Sequence, residues 1–288
     1  MGDRTKIDWC DASWNPVTGC LHGCEYCYAR GIANRFKMQE AAMNERYSVD
    51  KDGFEIIRSP RTGDALCVLH KPYKTAKIEN PIVASRPVTE PYPVGFIPTF
   101  HEYRLLIPAT WRKPRTIFVC SMADLFGEWV PVEWIKAVLD ACRAAPQHRY
   151  LFLTKNPERY DELEDLDIIT DKDTNFWLGS TTTIVTRDLL HYNRVLHTFQ
   201  SCEPMLAPWP TAGEPNREHL EKGDMPEWVI FGAETGNRKD KVVPEKAWID
   251  NAVKMCRNIG AKVFMKESLR EIMGADFIQE FPWDGERK

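Results

Sequence analysis

The chain has 288 residues, 43% of them hydrophobic and 28% charged, with a formal net charge of -4. This composition is globular and supplies enough apolar material for one large domain or two small ones. The acidic balance excludes a protein whose whole surface coats duplex nucleic acid; a local basic groove stays compatible with it.

The nine cysteines are odd in number, one group of three and the rest scattered. That pattern fits a reducing cytoplasm better than a secreted disulfide framework. The polar opening Met1–Lys6 carries no signal-peptide core, and no apolar run approaches the length of a membrane span. The expectation is a cytoplasmic protein with no membrane partner.

From the N-terminus, Asn15-Pro16 and Gly19 are turn formers, and a short first strand is expected within or just before Trp14–Thr18. The loop Cys20-Leu-His-Gly-Cys24-Glu-Tyr-Cys27 follows. Three thiolates at this compact C-x3-C-x2-C spacing can ligate three corners of a four-iron, four-sulfur cluster and leave its fourth iron free of protein. Zinc is the main rival, with His22 completing a Cys3His tetrahedron. Zinc motifs, however, usually arrive as separated pairs, and no second pair exists here. The plain alternative is a group of reduced structural cysteines. Residues Tyr28–Arg46 read as a helix, with Ile32, Phe36 and Met43 near helical spacing. Its charges Arg30, Arg35 and Lys37 read as a solvated face.

Residues 48–115 read as an irregular insertion after this first βα unit. Seven prolines fall between Pro81 and Pro114, so no long helix fits. Lys71, Tyr73, Lys74, Lys77, Trp111, Arg112, Lys113 and Arg115 interleave charge with aromatic rings. That mix suits a nucleic-acid backbone with bases stacked on the rings, or an ordinary surface.

From Thr116 a regular rhythm begins. Apolar runs start at Thr116, Tyr150, Phe176, Thr198, Trp228 and Lys262, and helical stretches separate most of them. A helix with Trp134, Ile135, Val138, Leu139 and Cys142 on one face follows the first run. Short apolar strands alternating with helices indicate an α/β fold with a parallel sheet. Counting the first strand gives about seven, one short of a closed eightfold barrel. No G-x-G-x-x-G follows the first strand, which removes support for a dinucleotide-binding sheet. Each run ends in polar groups, where βα barrels keep their functional residues.

The cysteine loop, with Tyr26 before its last cysteine, resembles the radical SAM superfamily signature C-x3-C-x-aromatic-C. The segments Trp14–Cys20, Ser121–Phe126, Leu153–Lys155, Cys202–Pro204 and Gly232–Gly236 are similar to the phage-associated, three-cysteine-motif branch of radical SAM-like proteins. The likeness spans about Ile7 to Lys266. It implies a single domain over 1–288, a partial, open parallel βα barrel of about six or seven strands. It also implies a [4Fe-4S] cluster on Cys20, Cys24 and Cys27, and S-adenosyl-L-methionine bound at the open iron. An external electron donor of flavodoxin or ferredoxin type would reduce the cluster. Cleavage would yield a 5′-deoxyadenosyl radical that abstracts hydrogen from a substrate.

The resemblance further implies Ser121 and Asp124 for the methionyl amino group and Lys155 for its carboxylate. A Ser-x-Glu-Asn-like stretch is expected after Gly179; here Ser180 is followed by three threonines. The ribose contact would then pass to Glu203 or Glu234, or more weakly to Thr182; Ser180 is a further cofactor-binding candidate. Cys202 at a strand end is a candidate hydrogen-atom donor. Structural alternatives stand beside these roles: Asp124 as a helix N-cap, Glu203 as a buried carboxylate on backbone amides, Glu234 in a tight glycine turn, Lys266 in a salt bridge, and Cys202 as a small buried hydrophobe. The substrate leans toward a nucleobase or nucleic acid. A non-catalytic zinc- or cluster-binding nucleic-acid interaction module is the alternative.

Overall fold

The computed structural model describes residues 5–35, 54–75, 88–89, 92–184, 196–209, 226–235 and 238–284. Residues 36–46 of the expected first helix, and Lys77, lie outside them. The chain forms two compact units. One consists of Met1–Ser13, Pro114–Phe118 and Pro146–Lys288; the other of Trp14–Lys113 and Val119–Ala145.

Thirteen strands are found among the described residues. They are β1 (Ala12–Trp14), β2 (Val17–Thr18), β3 (Phe54–Arg58), β4 (Ala65–Leu69), β5 (Lys74–Thr75), β6 (Val88–Thr89) and β7 (Thr99–His101), followed by β8 (Thr116–Val119), β9 (Arg149–Thr154), β10 (Phe176–Thr181), β11 (His197–Cys202), β12 (Trp228–Phe231) and β13 (Lys262–Met265). Helices of eight residues or more are α1 (Tyr28–Arg35), α2 (Val132–Arg143), α3 (Glu158–Asp165) and α4 (Lys246–Ile259).

A seven-stranded parallel, half-barrel sheet runs in the order β1-β8-β9-β10-β11-β12-β13. The strands are apolar because a parallel sheet with helices on it hides both faces. Side chains alternate between faces, so each strand serves two cores. On one face Val229, Phe231, Val263 and Met265 pack with Ile249, Ala252 and Cys256 of α4. On the other, Leu151, Trp177, Phe199, Trp228, Ile230 and Phe264 pack with Trp9 and Trp283. Helix α4 stops at Gly260, whose φ of 83° is the left-handed C-terminal cap that glycine adopts without cost.

Gly179 has a specific packing reason. It pairs with Phe199 in the β10–β11 register. A Cβ on Gly179 would meet three atoms of the Phe199 ring at 2.3 to 2.6 Å. The bare backbone is what lets that ring lie flat on the sheet.

The unit holding residues 14–113 and 119–145 contains a four-stranded sheet in the order β2-β7-β4-β3. Residues 48–115, expected to be irregular, supply three of its strands, and β5 pairs with β6. Strands β3 and β4 form an antiparallel hairpin from Phe54↔Leu69 to Arg58↔Ala65. Its turn closes through Ser59 N to Asp64 O at 2.8 Å, with Gly63 at φ 75°. The expectation of an irregular insertion is corrected here: β7 pairs with β2 and β4 across long sequence separations, which leave no local periodicity. In α2 all five expected residues, Trp134, Ile135, Val138, Leu139 and Cys142, are buried, and Trp134 stacks on Phe100 at 5.2 Å.

Gly179→Ala should lower unfolding free energy by roughly 1–3 kcal/mol, the usual cost of forcing extra volume into a packed core. Chemical denaturation measures it. A midpoint equal to that of the wild type would show that Phe199 moves away freely.

Candidate functional site

The cysteine loop begins where two backbones nearly touch. Gly19 has φ 85°, and a Cβ there would lie 2.3 Å from the Ile97 carbonyl oxygen, so no other residue fits. The Gly19 amide donates to Met122 O at 2.9 Å and the Cys20 amide to Phe96 O at 3.3 Å. Downstream, the Cys27 amide donates to Cys24 O at 3.3 Å, and the Arg30 amide of α1 reaches Cys27 Sγ at 3.4 Å. Tyr28 donates its hydroxyl to Ser121 O at 2.7 Å.

Cys20, Cys24 and Cys27 are all free thiols of intermediate exposure. The Cys20 thiol is pushed up to about 12, first by burial and then by Asp124 and the two neighbouring thiols; the His22 main-chain amide opposes this by hydrogen bonding to it. The donor set therefore fits a cluster in kind and number. Among the described residues, no three His, Cys, Asp or Glu side chains gather as one metal-holding group. A zinc site needs donors on a single centre, whereas cluster cysteines surround one cubane, each on a different iron.

The segment after β8 folds back onto this loop. Cys120 adopts φ 59°, uncommon for a residue with a side chain, and turns the strand into Ser121–Asp124. Asn15 Oδ1 accepts from Ser121 Oγ at 3.1 Å and from the Met122 amide at 3.0 Å. Asn15 in turn gives its carbonyl to Arg104 Nη1 at 2.9 Å. Arg104 is 6% exposed, and its Nε donates to the Tyr103 hydroxyl at 3.2 Å. Burial lowers its pKa first, which the neighbouring tyrosines offset.

Asp124 is placed beside the loop, but its carboxylate is engaged. Oδ2 lies 2.7 Å from His22 Nε2, and Oδ1 accepts the Phe126 amide at 3.0 Å. The second contact closes a turn two residues on; no helix starts here, so the N-cap expectation for Asp124 is corrected. The first is a link across 102 positions that the sequence does not signal.

The remaining expected contacts lie in the other unit, at the C-terminal ends of its strands. Lys155, just past β9, is half-buried. Three others are buried. Ser180 is 1% exposed and donates to Gln200 Oε1 at 2.8 Å. Thr182, also 1% exposed, donates to Ile184 O at 2.7 Å. Cys202 packs in the apolar cluster under α4, receives the Trp209 indole N–H at 3.1 Å, and is pushed up to about 12 by burial. All three groups are buried and hydrogen bonded within the protein. Strand parity explains it: Cys202 shares the helix-side face with Phe231 and Met265.

Glu203, one residue on, pairs instead with Lys266. The pair lies over Gly232, where a Cβ would stand 3.1 Å from both side chains. Lys266 thus holds the salt bridge expected of it. Glu234 is buried and takes two bonds from Arg238, at 2.7 and 2.8 Å, which hold its carboxyl below the usual range. Gly236, the second glycine of its turn, is outside the described residues.

Of the basic and aromatic residues singled out in 48–115, Lys71, Arg112 and Lys113 are exposed. Tyr73 is not a stacking platform: it is buried with Cys67, Leu69 and Val94.

No curated protein and no solved structure matched the chain. A family model described as "Protein of unknown function (DUF5131)" matches it over residues 4–89 and 83–270. With nearly its whole length covered by these two stretches, the chain belongs to that DUF5131 family.

Proposed function

We propose that this chain is a radical SAM enzyme. The observation that carries the reading is the cysteine loop: three free, half-buried thiols at C-x3-C-x2-C spacing, pinned by backbone bonds to the segment that follows β8. A parallel α/β half-barrel sheet is consistent with it.

Cys20, Cys24 and Cys27 would hold a four-iron, four-sulfur cluster. Such a cluster supplies the electron that cleaves S-adenosyl-L-methionine reductively. The chain's own contribution is geometric. Gly19 fixes the entry to the loop, and the Tyr28 hydroxyl fixes the start of α1 against Ser121. His22 is outside the proposed ligand set, and its Nε2 is hydrogen bonded to Asp124. A flavodoxin- or ferredoxin-type protein would provide the electron. The substrate class we favour is a nucleobase or nucleic acid, for which the exposed Arg112 and Lys113 beside Trp111 offer charge next to an aromatic ring.

Anaerobic reconstitution of the wild type should yield about four irons per chain with matching sulfide. Adding S-adenosylmethionine and dithionite should then release 5′-deoxyadenosine. Ala at Cys20, Cys24 or Cys27 should each abolish both results, because three ligands leave no spare. A colourless protein carrying one zinc would instead establish the non-catalytic nucleic-acid module.

The substrate class has its own test. Binding of a single-stranded oligonucleotide, followed by fluorescence anisotropy at two salt concentrations, should weaken with salt. Replacing Arg112 and Lys113 together should reduce the log–log slope by about 0.7 for each phosphate no longer neutralised. A flat trace for single and double strands alike would remove nucleic acid from consideration.

A further inference from the structure

On the sheet face opposite α4, three neighbouring strands end in one row. The ladder pairs Cys202 with Phe231 and Phe231 with Met265. It continues one step further, with the Gly232 amide donating to Cys202 O at 3.1 Å and the Lys266 amide to Phe231 O at 2.9 Å. Glu203, Gly232 and Lys266 therefore stand side by side just past the C-terminal ends of β11, β12 and β13. That is the end of a parallel βα sheet where functional groups collect. Cys202, Phe231 and Met265 pack under α4, and parity sends the next row to the other face. Gly232 contributes no side chain, which lets Glu203 and Lys266 meet over it as an ion pair.

The pair differs from three arginine pairs of the same unit. Arg238 closes on Glu234, Arg257 on Glu280 and Arg270 on Glu267 through two bonds each, which engages both carboxylate oxygens. Lys266 reaches Glu203 through Oε1 alone. Among the described residues, Glu203 Oε2 accepts no hydrogen bond, and the ammonium, with three donors, has no second acceptor. The Lys266 and Glu203 side chains are 20% and 25% exposed, so the remaining groups are reachable yet partly desolvated. Such groups favour a ligand that completes their hydrogen bonds. They offer it an anionic acceptor directly beside a cationic donor.

The complement of that arrangement is a lactam edge, O=C–N–H, in which an acceptor and a donor also lie side by side. A phosphate or carboxylate suits the ammonium but is repelled by Glu203, and a cation suits Glu203 but is repelled by Lys266. Uracil and guanine present a lactam edge; adenine has no carbonyl. We propose that Glu203 and Lys266 form a recognition site for the lactam edge of a nucleobase, with Lys266 donating to the carbonyl oxygen and Glu203 accepting the ring N–H. This deepens the nucleobase reading of the substrate and rests on it; it does not require the cluster.

The test measures dissociation constants on the full chain by ligand-observed nuclear magnetic resonance, with uridine, guanosine, 3-methyluridine and adenosine. In 3-methyluridine a methyl group replaces the lactam hydrogen. The wild type should bind uridine and guanosine at least about tenfold more tightly than 3-methyluridine or adenosine, because the analogues leave a charged group unpaired. Lys266→Met and Glu203→Gln should each weaken uridine binding by about tenfold, so that uridine and 3-methyluridine become equivalent. A thermal scan shows whether each variant is folded, and the comparison of uridine with 3-methyluridine on the wild type needs no variant. Equal wild-type affinities for those two nucleosides, adenosine binding as tight as uridine, or full uridine affinity in both variants would overturn the proposal and leave the pair a structural bridge. If no nucleoside binds, the proposal falls as well. Salt-dependent binding of the single-stranded oligonucleotide would then show that the nucleic-acid reading survives without it, and a flat oligonucleotide trace that both fall.

Discussion

The backbone crossing at Gly19 is the constraint on which the rest of this site depends. With φ at 85° and the Ile97 carbonyl 2.3 Å from where a Cβ would stand, the chain can pass there only as glycine. A crossing with no slack locates Cys20 by backbone bonds alone, to Met122 through Gly19 and to Phe96. Met122 is located in its turn by Asn15, and Asn15 by the buried Arg104. The loop therefore inherits its position from the interior. This is how a compact three-cysteine loop, with little secondary structure of its own, can hold a defined position.

Strand parity decides what the other end-of-strand residues can do. Neighbouring positions such as Cys202 and Glu203 differ by one residue in sequence, yet one is buried under α4 and the other meets Lys266 over Gly232. A one-residue step moves a side chain from one face of a sheet to the other. Composition and spacing identify the strand ends well, because apolar runs bounded by polar residues mark them plainly. Ser180 and Cys202 have suitable chemistry and a place at a strand end, but neither property assigns the face. The two aromatic-rich cores do assign it: Trp177, Phe199 and Trp228 share one face, which puts Ser180 and Cys202 on the other.

The legible part of the fold is the part with local signals. All six apolar runs after residue 115 are strands, within about two residues of their expected limits. Buried positions in α2 follow from helical spacing. The hairpin β3–β4 is missed within the segment expected to be irregular: Phe-Glu-Ile-Ile-Arg and Ala-Leu-Cys-Val-Leu flank a turn containing Pro60 and Gly63, a signal outweighed by the density of prolines further on. The long-range pairings of β7, the His22–Asp124 contact and the Arg104–Asn15 bond have no such signal. Each joins residues whose neighbours in sequence say nothing of the partner.

The burial of Cys20 bears on how the loop would take up a metal under the proposed function. A thiol pushed up to about 12 remains protonated at neutral pH, and desolvation is the largest reason. Asp124 adds to the penalty, since a second negative charge is already close. Ionising Cys20 in the metal-free chain would therefore place a thiolate beside a carboxylate in a partly dry site. A bound cationic centre reverses the sign of that environment, deprotonating the thiol and offsetting the cost. The His22 ring contributes to the same balance by taking the carboxylate in a hydrogen bond, while its amide favours the thiolate. One residue thus moderates the negative charge on both sides of it.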